Sequence, residues 1–130
     1  MSKKFTAGKE KRLPFSSAVQ TGSYVYVSGQ GGIDPQTHCI VGLDLESQTR
    51  QTMDNIREVL TAASLDWEHV VKVNVYLADR SLYEEFNQIY ARYFNSFFPA
   101  RTLVYCALNY DLLVEIDVIA SREKPLSVIV

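Results

Sequence analysis

The chain has 130 residues, 47% of them hydrophobic, and carries 15 acidic against 13 basic side chains, enough apolar material for one domain with a core that folds unaided. A sequence pI near 5.6 excludes the positive field that concentrates a protein on nucleic acid or anionic lipid, so the expected partners are small molecules and further copies of the chain. No apolar run approaches the roughly eighteen residues that span a bilayer, and the lysine-rich start runs into polar residues instead of a signal-peptide core, which points to the cytoplasm.

Residues 1–13 carry Lys3, Lys4, Lys9, Lys11 and Arg12 with little apolar periodicity, the pattern of a solvated basic arm or an edge strand. Residues 24–28 are aromatic and β-branched and run into Gly29-Gln30-Gly31-Gly32, which predicts a strand ending in a loop that permits close approach. Those glycines lack the helix and downstream acid of a dinucleotide fingerprint. Asp34-Pro35-Gln36-Thr37 predicts a chain reversal, with the proline presetting φ for a type I turn. His38 stands in this turn where glycine would fit more easily and reads as a surface residue. Cys39 in the turn and Cys106 in a later strand make no disulfide framework and read as free thiols.

Asp44 is the expected cap of a helix running to about Ala63, with Leu45, Met53, Ile56, Leu60 and Ala63 on one stripe. From Val70 to Leu77, Val71, Val73, Val75 and Leu77 alternate with Lys72, Asn74 and Tyr76, a strand with one buried face. Ser81-Leu82-Tyr83-Glu84 has capping-box spacing. Leu82, Phe86, Ile89, Tyr90 and Tyr93 then recur at three and four residues, marking a second helix that stops before Pro99. Residues 101–108 and 112–121 read as strands, and the short Asn109-Tyr110-Asp111 link predicts an antiparallel hairpin. In the last strand Leu112, Val114, Ile116, Val118 and Ala120 share one face, and Leu113, Glu115, Asp117 and Ile119 the other.

Both helices need an apolar platform, so the expected fold class is α+β, a sandwich of two helices on one face of a mixed β-sheet. Alternation leaves Tyr76, Tyr105, Leu113 and Ile119 on the other face, an apolar patch that in a soluble protein usually means an oligomer. Pro99 delivers Arg101 to a strand mouth, and Glu115 interrupts a partly apolar face. As bare residues the two have two readings: a weak cross-strand ion pair, or a small site for a carboxylate and a water. Ser28 has no histidine and acid in a nucleophile pattern, and His38 and His69 are too few and too isolated for zinc.

Six segments carry a resemblance to a known family: Pro14-Phe15-Ser16-Ser17-Ala18-Val19, Val27-Ser28-Gly29-Gln30, Gln48-Thr49-Arg50-Gln51-Thr52-Met53-Asp54-Asn55-Ile56, Phe86-Asn87, Phe98-Pro99-Ala100-Arg101 and Val114-Glu115-Ile116. Their order and spacing over residues 14–122 resemble the reactive intermediate deaminase (Rid, or YjgF) family. The resemblance implies a chorismate-mutase-like fold and a homotrimer whose sheets meet in a central barrel, with three ligand clefts between neighbouring subunits. It implies hydrolysis of enamines and imines of small 2-oxo acids, of the 2-iminobutanoate and 2-iminopropanoate type, to the keto acid and ammonia, without metal or cofactor.

Carried onto this sequence, the resemblance gives Arg101 the grip on the substrate carboxylate and Glu115 the placing of water at the imine carbon. Ser28 and Gly29 would line the opposite wall, Asn87 would stand near the cleft, and Leu103 falls where the family uses its backbone and often a cysteine. Phe15 stands where the family commonly has a tyrosine, so a hydroxyl is missing while the aromatic wall remains. Cys106, three residues beyond Leu103, is turned to the other strand face by the odd offset. A non-catalytic trimeric module that binds small carboxylates is the alternative expectation. Ribonuclease or translation-inhibitor activity, attached to relatives of the family, is disfavoured here by the low pI and the lack of a histidine pair. Residues 123–130 read as a C-terminal tail beyond the resemblance, apolar from Pro125 to Val130.

Overall fold

The computed structural model describes residues 13–123 and 127–130. The expected basic arm therefore lies, Leu13 apart, outside the described residues, as does the middle of the expected tail. Chain order is β1 (Ala18–Thr21), β2 (Tyr24–Gly31), α1 (Leu45–Ala62), β3 (Val70–Leu77), α2 (Tyr83–Ala91), β4 (Ala100–Tyr105) and β5 (Val114–Ser121). The strands make one sheet in the order β1-β2-β5-β3-β4. All pairings are antiparallel except β3 with β4, which is parallel. Among the described residues no helix is long and apolar enough to cross a membrane.

The core lies between one face of this sheet and the two helices. Val25 and Val27 of β2, Val73, Val75 and Leu77 of β3, and Val114, Ile116, Val118 and Ala120 of β5 join Met53, Ile56 and Leu60 of α1 and Phe86, Ile89 and Tyr90 of α2 in one buried cluster. Burying each large member contributes about 1.5–3 kcal/mol, which is why the alternation in β3 and β5 was readable as a one-sided pattern. Asp44 caps α1 as expected, its side chain accepting from the Ser47 amide at 2.9 Å. The Asp34 turn also forms: the Gln36 amide donates to Asp34 Oδ1 at 2.7 Å, and exposed His38 takes φ 64°, the left-handed region that glycine enters at less cost.

Several expectations are corrected. β4 and β5 are not a hairpin: β3 lies between them, pairing Val73 with Arg101 on one side and with Val118 on the other. The turn-rich 106–113 link crosses β3 instead of folding back. Parallel register with Leu77 also moves Tyr105 to the helix side, so Val104, partner of Tyr76, takes its place on the open face. In β3 the buried set begins at Val70 and Val71 is only half-buried, because the pairing with β5 shifts register between Val70 and Lys72. The capping box at Ser81 does not form. Asp79 accepts from the Ser81 amide at 2.8 Å and starts a short 3-10 turn, Arg80–Leu82, ahead of α2.

The stripe of α1 also buries three polar residues absent from the hydrophobic reading, Gln48, Thr49 and Thr52. Gln48 Nε2 donates to the carbonyls of Gly42 at 2.8 Å and Asp111 at 3.2 Å, while its Oε1 accepts from the Leu113 amide at 2.7 Å. Two loops far apart in sequence are thus stitched to one helix.

Candidate functional site

Glu115 is the second residue of β5. Its register partners are Tyr76 of β3 and Gly31 of β2, which sets its side chain on the sheet face that carries no helix. Between Val27 and Gln30 the β2–β5 register shifts, and this irregularity brings Gly29 against the Glu115 carboxylate, so a Cβ at position 29 would land on Glu115 Oε2. Ser28 is fastened beside it, its hydroxyl donating to the Ser16 carbonyl at 2.5 Å and its amide to the Ser17 carbonyl at 2.9 Å. Phe15, next to Ser16, is 55% exposed. Ser28, Gly29 and Glu115 therefore gather on one flank, with Phe15 adjoining in sequence the residue that Ser28 holds, and Glu115 makes no hydrogen bond or ion pair among the described residues. Burial first, and the negative charge of Asp117 second, push the Glu115 carboxyl above the ordinary range, so it keeps its proton to higher pH than a solvated glutamate.

Arg101 occupies the other flank. It lies on β4 opposite Val73 and so faces α2, where its guanidinium carbon sits 5.0 Å from the Tyr90 ring centroid and 5.7 Å from that of Phe86. The two rings are themselves 5.4 Å apart and buried, a cation–π bed for the guanidinium. Among the described residues no carboxylate pairs with it. Burial pushes the Tyr90 phenol up to about 12 against the pull of Arg101, so the ring stays neutral beneath the cation. Asn87 follows Phe86 on α2 and is half-buried, and Leu103, two residues beyond Arg101 on the same face of β4, packs partly against the core. The aromatic bed was not singled out from the sequence: Phe86 and Tyr90 fit the helix stripe and read as core. The signal was their coincidence on one helix with the arginine that Pro99 delivers.

Within one copy these flanks do not meet. Arg101 and Glu115 lie on strands separated by β3, three residues apart in register, about 14 Å between Cα positions from ordinary strand spacing, and on opposite faces. The cross-strand ion pair is thereby excluded. Cys39 and Cys106 are exposed free thiols, and among the described residues no three His, Cys, Asp or Glu side chains converge.

The contact at Gly29 gives a sharp expectation. Gly29→Ala forces only the mobile end of Glu115 to move, so thermal stability should fall little while any activity that uses this carboxylate should drop as far as in Glu115→Gln. Thermal melts and turnover measured on both variants check it. Unchanged turnover in Gly29→Ala would detach this contact from function.

The family described as endoribonuclease L-PSP matches residues 9–122. A RutC family protein of Pyrococcus horikoshii is 40% identical over 121 residues, covering 92% of this chain and 96% of that protein. A human protein named 2-iminobutanoate/2-iminopropanoate deaminase is 38% identical over 108 residues, covering 82% and 79%. Among solved structures, the Rid-family protein YyfA of Yersinia pestis superposes with a TM-score of 0.85 at 37% identity over 92% of this chain and 95% of that one. E. coli TdcF with bound serine gives 0.84 at 30% identity over 93% and 97%. Matched over almost the whole of its folded part, the chain belongs to the endoribonuclease L-PSP family, the family also known as YjgF or Rid.

Proposed function

We propose that the protein hydrolyses imines and enamines of small 2-oxo acids to the keto acid and ammonia, in clefts formed where copies meet as a trimer. The observation that carries this reading is a pair of groups on complementary flanks with no ion-pair partner among the described residues: a guanidinium seated on Tyr90 and Phe86, and a half-buried carboxyl that burial pushes above the ordinary range. They stand at the positions where the family resemblance places its carboxylate grip and its acid. The name of the human relative and the serine bound in E. coli TdcF support a small amino-acid-like ligand.

Chemically the arrangement is sufficient. A planar guanidinium takes a carboxylate through two parallel N–H bonds and so sets orientation as well as position. Protonated Glu115 gives its proton to the imine nitrogen as water adds to the carbon. The carboxylate then takes a proton from the added water, and the carbinolamine collapses to ketone and ammonia. Acid–base help of this kind is typically worth about 10²–10⁴ in rate. The helix-free face, with Val19, Tyr24, Tyr26 and Val104 each more than 40% exposed, would be covered by the same assembly that joins the flanks.

The test generates imines in place with an amino-acid oxidase and follows keto-acid release. Wild type should accelerate release strongly, and Arg101→Ala should lower kcat/KM by about 30- to several-thousandfold, the 2–5 kcal/mol of a truncated charge pair. Equal rates with and without Arg101 would refute the catalytic reading. Thermal stabilisation by keto acids without any turnover would favour the carboxylate-binding module instead.

A further inference from the structure

We infer that Asp117 is a positioning residue that fixes the catalytic proton on Glu115, an inference that rests on the deaminase reading above. The two side chains are same-face neighbours on β5, about 7 Å apart along the strand, yet they are served differently. Asn74 Nδ2 donates to Asp117 Oδ1 at 2.8 Å and the Tyr76 hydroxyl to Asp117 Oδ2 at 3.0 Å. Both donors come from β3, where Asn74 is the register partner of Asp117 and Tyr76 that of Glu115. Both oxygens of one carboxylate are thus pinned, while the other carboxyl receives no donor among the described residues.

The carboxylate that takes both donors is held in place beside a second, half-buried carboxyl, and its negative charge adds to burial in pushing that carboxyl above the ordinary range. The remaining acid then holds its proton next to a fixed anion. The other titratable groups on this face do not cancel the effect. Tyr76 is pushed up, by burial first and by its hydrogen bond to Asp117 next, and stays a donor. Tyr26 faces from β2 and Cys106 stands beyond β4. Lys72, on β3, has its ammonium engaged by Thr102 Oγ1 at 3.1 Å on the far strand. Asp117 touches no reacting atom in this scheme and acts through Glu115.

The experiment is a carboxyl-carbon NMR titration of Glu115 in protein carrying labelled glutamate, for wild type, Asp117→Asn and Asp117→Glu, beside pH profiles of kcat/KM. Asp117→Asn should lower the Glu115 midpoint by roughly half a unit or more and move the alkaline limb of the profile down by the same amount. Asp117→Glu, which keeps the charge, should restore both. Asp117→Ser replaces Asp117→Asn if that variant does not fold. An unchanged Glu115 midpoint in the charge-free variants overturns the inference. Absence of imine hydrolysis in wild type sinks the functional reading alone, since the NMR midpoint is read without substrate.

Discussion

Arg101→Ala and Glu115→Gln, each nearly inactive by itself, should recover roughly a quarter of wild-type keto-acid release when unfolded together in equal amounts and refolded as mixed oligomers. The number comes from the geometry and from closed symmetry. Arg101 faces α2 from the edge strand β4, and Glu115 faces away from the helices on β5, so a cleft that uses both takes one from each of two neighbouring copies. A cleft is intact when its glutamate comes from an Arg101→Ala copy and its arginine from a Glu115→Gln copy, half times half of the random combinations. Alone, Glu115→Gln should lose about 10²–10⁴ in kcat. Recovery no greater than the sum of the two separate variants would show that the groups do not cooperate across a subunit boundary, and native mass spectrometry of the same samples would show whether mixing had occurred.

Gln48→Leu should destabilise the protein by about 3 kcal/mol, a thermal midpoint lower by on the order of 10 °C at fixed protein concentration. Leucine fills a similar volume, so the effect isolates the amide. Removing it leaves the Gly42 and Asp111 carbonyls and the Leu113 amide to find other partners, each at a cost of about 1–3 kcal/mol where water cannot reach. The partly exposed carbonyls recover some of this from solvent, which holds the total near the lower end of the sum. The loops at 41–43 and 109–113 should also exchange their amide hydrogens faster than α1 does. A loss below about 1 kcal/mol in urea unfolding would mean that Gln48 is merely tolerated in the core.

The parts of this fold that were legible in the sequence are those whose physics is local. Asp44 announces α1 because a carboxylate accepts an amide three residues on, and Val114, Ile116, Val118 and Ala120 announce a one-sided strand because alternation is a property of the strand itself. Partner choice is not local. Nothing in the 101–121 segment says that β3 will separate its two strands, and Asn109-Tyr110-Asp111 is as compatible with a crossing loop as with a tight reversal. The same limit hid the site. Arg101, Glu115, Ser28 and Gly29 are recognisable in order along the chain, but their division into two flanks follows from strand order. The clamp of Asn74 and Tyr76 on Asp117 follows from β3–β5 register, which periodicity leaves open.

The place of β5 in the sheet has a consequence for biosynthesis. Its residues are the last of the five strands to be made, yet they lie between β2 and β3, so until about residue 121 has left the ribosome neither of those strands has its central neighbour. The two halves of the sheet can therefore join only once β5 is present to lie between them. Until then the valine-rich edges of β2 and β3 stay open to pairing with other chains, the exposure that makes an incomplete sheet prone to association.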